Sequence, residues 1–122
     1  RHWTQNRCAL SRRLWQALGV NMAFDLYLDN QCESIAEYEE TIFSLISDSP
    51  EFPTLSYIRQ EFYASPKITA SMSNDMVHEL IAILALVKGK KELVHVEHLC
   101  IRLLPLFSLA YKTGKTIHGA GD

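Results

Sequence analysis

The stretch AFDLYLDN, residues 23–30, is where a helical and a strand interpretation of this chain diverge. Apolar and polar side chains alternate along it: Phe24, Leu26 and Leu28 against Asp25, Tyr27 and Asp29. Alternation with a period of two is typical of a half-exposed strand. The only segment suited to pair with it is LVHVE, residues 93–97, and one pair of strands is marginally stable. We therefore favour a helix here and keep an α+β fold, with one short pairing of 23–28 and 93–97, as the alternative.

The segments on either side have the spacing of helices. Trp3, Leu10 and Leu14 share one arc of a helix that Gly19 is suited to end. The sequence SIAE at 34–37 matches a capping box that starts a second helix. The sequence NDMVHELIAILALVKG, residues 74–89, is apolar on almost every side, which is typical of a helix buried among others.

These patterns predict an all-α fold, a single bundle of five or six helices. Residues 75–88 form its central helix, and the last long helix is kinked at Pro105, because proline removes a backbone donor and clashes with the preceding turn. A chain of 122 residues with 48% hydrophobic residues fits one domain. We assign residues 1–113 to that domain and residues 114–122 to a flexible tail.

Cysteine use and apolar runs indicate an intracellular protein, cytoplasmic or nuclear. Cys8, Cys32 and Cys100 have no paired spacing, so we expect reduced thiols. The longest apolar run, Leu80 to Val87, is far shorter than the roughly 18 residues that span a bilayer, and no signal peptide is seen. No membrane contact is expected. The first residue, Arg1, suggests a domain of a longer polypeptide.

Charge is divided along the chain although the net charge is only −2. Residues 1–20 hold four arginines and no acid, residues 21–51 hold eight acids and no lysine or arginine, and residues 80–122 hold six bases and three acids. Segments of opposite charge can pair within the chain or face partners.

The sequence VHVEHLCIRLLP, residues 94–105, concentrates potential metal ligands. On a helix, however, Lys91, His95, His98 and Arg102 share one face, whereas Glu97 projects away from it. Two permanent cations beside the imidazoles disfavour a bound dication. We interpret this face as a basic ridge whose counterpart is the acidic block at 25–51 or a partner's surface, and we predict no metal.

No other motif predicts chemistry. The sequence TGKT at 113–116 has Leu109 where a phosphate-binding loop requires glycine. No serine lies in a Gly-x-Ser-x-Gly elbow. We therefore expect a chain that is not an enzyme and takes no cofactor.

The function predicted is a non-catalytic protein–protein interaction or oligomerisation domain of a larger protein. It would bind a partner helix, or a second copy of itself as a homodimer, through an apolar surface with charged rims. The candidate partner-binding residues are Trp3, Arg7, Arg12, Trp15, Lys91, His95, His98 and Arg102. The alternative is a helical nucleic-acid-binding domain that uses basic residues 1–13 and the Lys91–Arg102 ridge.

Overall fold

The computed structural model describes residue 17 and residues 22–46, 49–61 and 64–121. Within these ranges the chain forms four α-helices and a four-stranded antiparallel sheet. The fold is mixed α+β, so the prediction of an all-α helical bundle is wrong. The elements in chain order are β1 (Met22–Leu28), β2 (Gln31–Ala36), a 3-10 turn (Glu37–Glu40), α1 (Thr41–Leu45), α2 (Pro53–Gln60), β3 (Lys67–Ile68), α3 (Ala70–Val87), a 3-10 turn (Lys91–Leu93), α4 (Val94–Thr113) and β4 (Ile117–Gly121).

The alternating stretch forms strand β1. Phe24, Leu26 and Leu28 share one face of the sheet and are buried in the hydrophobic core. The helix preferred from sequence is wrong because β1 has two antiparallel partners, β2 and β4, rather than one. The alternative fold had the correct class but the wrong pairing, since residues 93–97 lie in the second 3-10 turn and the first turn of α4.

Strand β4 lies inside the sheet, whose order is β2-β1-β4-β3. Residues 114–122, for which the sequence predicts a flexible tail, therefore contain an internal strand. Gly119 of β4 pairs with Leu26. A Cβ at this position would lie 2.5 Å from Phe24 Cζ and 2.8 Å from Pro66 Cγ, so the close approach of these side chains requires glycine.

The predicted capping box does not start a helix. Ser34 lies in β2, and its hydroxyl donates a hydrogen bond to Asp25 Oδ1 at 2.6 Å. The chain turns helical three residues later, at Glu37, and there the Glu39 carboxylate accepts the Ala36 N–H at 2.9 Å. Strand pairing therefore overrides the local capping signal.

Helix α3 differs from the predicted central helix in its surroundings. It runs over Ala70–Val87, and the Thr69 hydroxyl caps it by accepting the Met72 N–H at 3.2 Å. One face contributes Leu80 and Ile83 to the core. The other face is exposed and includes apolar side chains. The expectation that this helix is enclosed on all sides is wrong.

Helix α4 is a single element that passes through Pro105, whose side chain is exposed. It contacts α3 along its length and β2 on another side. Its buried face adds Leu99, Leu103 and Phe107 to the same core as β1. The sheet and helices thus share one core.

Of the expected reduced thiols, Cys100 agrees with the expectation and Cys32 does not. Cys32 in β2 is disulfide-bonded, whereas Cys100 in α4 is a free and buried thiol. Burial raises the pKa of the Cys100 thiol to about 12, so this group is unreactive near neutral pH. Cys8 lies outside the described residues.

Two helical segments, Ala70–Val87 and Lys91–Thr113, are long and apolar enough to cross a membrane by length and composition, with mean hydropathies of 1.3 and 1.4. Of the 18-residue apolar window within each segment, 33% and 39% respectively is buried within the protein. The core helices of soluble domains satisfy the same criterion, so this is weak evidence for a membrane span.

Candidate interaction surface

Half of the predicted partner-binding residues lie outside the described part of the chain: Trp3, Arg7, Arg12 and Trp15. The other four differ in their exposure. Lys91 and His98 are exposed, whereas His95 and Arg102 are half-buried on the side of α4 that faces β2. The predicted basic ridge is therefore divided between solvent and the protein's own sheet.

Arg102 contacts the acidic block of its own chain. Its Nη2 lies 2.9 and 3.0 Å from the two carboxylate oxygens of Glu39 and donates to the Ser34 carbonyl oxygen at 3.1 Å. Its Nε lies 4.0 Å from Glu33 Oε1, which is too long for a hydrogen bond, and has no hydrogen-bond partner in the described ranges. The hydrogen bonds that Arg102 makes among the described residues all come from Nη2 and are directed to the protein's own β2 and first 3-10 turn.

Glu39 holds three elements together, since it contacts the end of β2 and α4 from the first 3-10 turn. Only 3% of the residue is exposed. Burial raises the pKa of the Glu39 carboxyl, and the Ala36 N–H and the charges of Arg102 and His95 partly oppose that rise. The group is enclosed and paired, which suits a structural role better than proton transfer to a bound molecule.

Helices α3 and α4 form an antiparallel hairpin, and each helix carries a stripe of mostly apolar side chains along the outer side of the hairpin. The two stripes consist of Val77, Ile81 and Leu84 on α3 and of Val94, Glu97, Ile101 and Leu104 on α4, so Glu97 interrupts the apolar row of α4. Each set follows the spacing of one helical stripe. Both helices rise about 1.5 Å per residue from the same connection, so Ile81 lies level with Ile101 and Val77 with Leu104. We call this surface the α3–α4 groove.

The walls of the α3–α4 groove are exposed and its floor is partly buried. Ile81 is 52% exposed and Ile101 is 53% exposed. Val77, Leu84 and Leu104 pack partly against the core beneath them. Isolated apolar residues are common on protein surfaces, but contiguous apolar patches mark interaction sites.

The connection between the helices forms a basic end to the groove, which we call the tip, residues 88–92. Lys88, Lys90 and Lys91 are exposed there, and Glu92 is the single acid. Gly89 adopts a left-handed conformation with φ 79°, which glycine allows in a tight reversal. The ion pairs seen among the described residues involve none of these lysines.

A small cavity of about 280 Å³ lies at the other end of α4, beside the turn between β1 and β2. It is lined by Leu28, Asp29, Asn30, Gln31, Leu109, Thr113 and Lys115. Lys115 and Asp29 form an ion pair at its edge. Its polar side chains are all exposed, so it lacks the enclosed polar groups that orient ligands in binding pockets.

No group of three His, Cys, Asp or Glu side chains in the described ranges converges as a metal site would require. This part of the chain therefore offers no coordination geometry on which metal chemistry could be argued.

Ile81 and Ile101 are not among the partner-binding residues that the sequence predicts, although the sequence contains a signal for their position. The apolar character of residues 74–89 on every side was interpreted as complete burial. In a fold where one layer of helices covers a sheet, the same pattern leaves one apolar face uncovered.

Comparison of the chain with known protein families, characterised proteins and solved structures finds no match.

Proposed function

We propose that this chain is a non-catalytic protein-interaction domain that binds an α-helix in the α3–α4 groove, either from a partner protein or from a second copy. The observation that supports this proposal is the pairing of Ile81 and Ile101, which are each about half exposed at the same level of two packed helices. A third helix would cover both side chains at once.

The size of the groove fits recognition of a short helical segment. The levels of Val77 and Leu84 are roughly 10 Å apart, and continuing to the tip adds another turn, so about three turns of helix can dock. Covering the exposed part of each isoleucine contributes roughly 1 kcal/mol. Rows of side chains on the docked helix would fill the space between the two stripes, as in other helix-in-groove complexes.

Photo-crosslinking tests the location of binding. A photoreactive phenylalanine derivative at position 101 should crosslink a defined partner, or a second copy of the chain, in an extract of the source cells. The same group at Leu45, an exposed apolar residue of α1, serves as the control. Sedimentation velocity over a range of concentrations separates self-association from binding to another protein.

Charge substitutions provide the second arm of the test. Ile81→Glu and Ile101→Glu should abolish the crosslink formed from Val94, which also lines the groove, while Leu45→Glu should leave it intact. Because the substituted side chains are exposed, thermal stability should change little. Adducts that form equally at positions 45 and 101, or that persist in both glutamate variants, would contradict the proposal.

Nucleic-acid binding stays a prediction with less support. Residues 1–13 lie outside the described ranges, and Arg102 is engaged with Glu39 and Ser34. Binding of duplex DNA that weakens steeply with salt would favour it.

A further inference from the structure

On the basis of the proposed function, we infer that the docked helix belongs to a partner whose acidic end lies against Lys88, Lys90 and Lys91 at the tip. The tip would then select the charge of the partner and fix its direction along the α3–α4 groove.

The tip brings three cations without ion pairs together, whereas Lys112 of α4, also exposed and without an ion pair among the described residues, stands alone. Arg102 is held by Glu39, and Lys115 pairs with Asp29. By contrast, three lysines within residues 88–91 are exposed and make no ion pair among the described residues. With Glu92 as the opposing charge, the tip has a net charge of +2.

The distribution of charge along the groove is asymmetric. Glu97, half-buried one turn inside the tip, lies within the α4 stripe between Val94 and Ile101, so the acidic end of a docked helix would lie beyond it, over the lysines of the tip. Beyond Ile81 and Ile101 the groove continues between Asn74 and Ser108, both uncharged. A docked helix with acidic residues at one end therefore meets opposite charge in only one direction, and complementary charge of this kind sets orientation more than affinity.

A second copy of the hairpin is a poorer occupant. A two-fold axis along the groove would bring the lysines of both tips together. A two-fold axis across the groove would place each tip over the far end, where the exposed lysines Lys67 and Lys112 outnumber Asp75. An acidic helix from another protein places negative charge beside the lysines of the tip, which neither symmetric pairing does.

Synthetic peptides test this inference on the whole chain. Each probe is a helix of about 16 residues with leucines at i, i+4 and i+7, and three of its first-turn residues are all Glu, all Gln or all Lys. Fluorescence anisotropy should show that the Glu peptide binds about tenfold more tightly than the Gln peptide at low salt, with the Lys peptide weakest.

Two sets of variants make the result specific. Lys88→Gln/Lys90→Gln/Lys91→Gln should remove the advantage of the Glu peptide and leave binding of the Gln peptide unchanged. Lys67→Gln/Lys112→Gln, which removes two exposed lysines elsewhere, should preserve the advantage. Ile101→Glu should weaken binding of both peptides.

The outcomes separate this inference from the proposed function. Equal binding of the Glu and Gln peptides, lost in Ile101→Glu, would overturn the inference and leave the proposed function intact. Absence of binding by every peptide, or binding of the Glu peptide that Ile101→Glu does not affect, would overturn both. Binding of anionic vesicles or duplex DNA through the tip more tightly than any peptide would replace the inference with a lipid or nucleic-acid partner.

Discussion

At the scale of single residues, burial raises the pKa of the Glu39 carboxyl, and its charged form is favoured against this effect first by the Ala36 N–H and then by Arg102. Removing one member of a buried ion pair leaves an uncompensated charge, which is strongly destabilising. We expect Arg102→Met to lower the free energy of unfolding by about 1–3 kcal/mol at neutral pH. The figure is below that of fully buried pairs because the Arg102 side chain is 36% exposed and partly screened by solvent.

The size of this loss should depend on pH. The pKa of Glu39 is raised in the folded protein, so its contribution to stability is complete below the ordinary glutamate value of 4.5 and is lost as pH rises through the raised pKa. Without Arg102 the pKa rises further. Urea unfolding should therefore show a smaller difference between Arg102→Met and wild type below pH 4.5 than at neutral pH. The Glu39→Gln/Arg102→Met double variant is the control, because it lacks the titrating group. An equal loss of unfolding free energy at both pH values in Arg102→Met would contradict this explanation.

The sequence predicted part of this contact. Opposite charge in two segments predicts that the basic ridge faces the acidic block at 25–51 or a partner's surface, and Arg102 of the ridge pairs with Glu39 of that block. The position of β2 against α4 determines which acid pairs with Arg102. It also determines that Lys91 and His98 stay exposed. That position is a tertiary property and has no local signal.

At the scale of elements, α2 has no side-chain cap of its own and is capped from α3. The carboxylate of Glu79, only 6% exposed, accepts the N–H groups of Thr54 and Leu55 at 3.1 and 2.9 Å. Negative charge at this end also complements the helix dipole. Helix α2 is thereby fixed to α3 at a defined position.

Replacing Glu79 with alanine should cost about 2 kcal/mol, because two buried donors lose their acceptor. Hydrogen exchange followed by mass spectrometry should show that Glu79→Ala accelerates exchange in α2 more than in α4, each relative to the wild-type protein. His78→Ala, at the exposed neighbouring position, is the control and should leave exchange unchanged. Uniform acceleration across all helices in Glu79→Ala would mean that the carboxylate supports the whole fold rather than α2.

The sequence predicts best those elements whose pattern of apolar residues lies within the element itself. Helix α3 was placed within a few residues, since its apolar spacing is local. Strand β1 was assigned to a helix although its alternation was visible, because neither partner was recognised. Strand β2 resembled a helix cap, and β4 contains two glycines, which weaken strand propensity.

At the scale of the molecule, the sheet depends on β4. A chain ending at Thr113 would leave β1 with β2 alone, and a two-stranded hairpin is marginally stable. We expect this truncation to abolish the cooperative thermal transition measured by circular dichroism, whereas a chain ending at Gly121 should retain it. A truncated chain that melts like the intact one would show that residues 114–122 behave as a tail.

The disulfide of Cys32 bears on the compartment in which the protein resides. Alkylation in denaturant without reductant should label Cys100 and not Cys32, and both should be labelled after reduction, as measured by mass spectrometry of their peptides. Persistent disulfides are typical of oxidising compartments, so this result in protein from the source cells would count against the cytoplasmic or nuclear localisation expected from sequence. Full labelling before reduction would support it.

The pairing of β1 with β4 joins residues about ninety positions apart, as with Tyr27 and His118. Closing so long a loop costs entropy before any contact compensates for it, whereas the α3–α4 hairpin forms from neighbouring residues. We therefore expect the helices to associate early and the sheet to close last. Until it does, one edge of β1 is open to strands of other chains, so the interval before sheet closure is the period in which this protein is most exposed to aggregation.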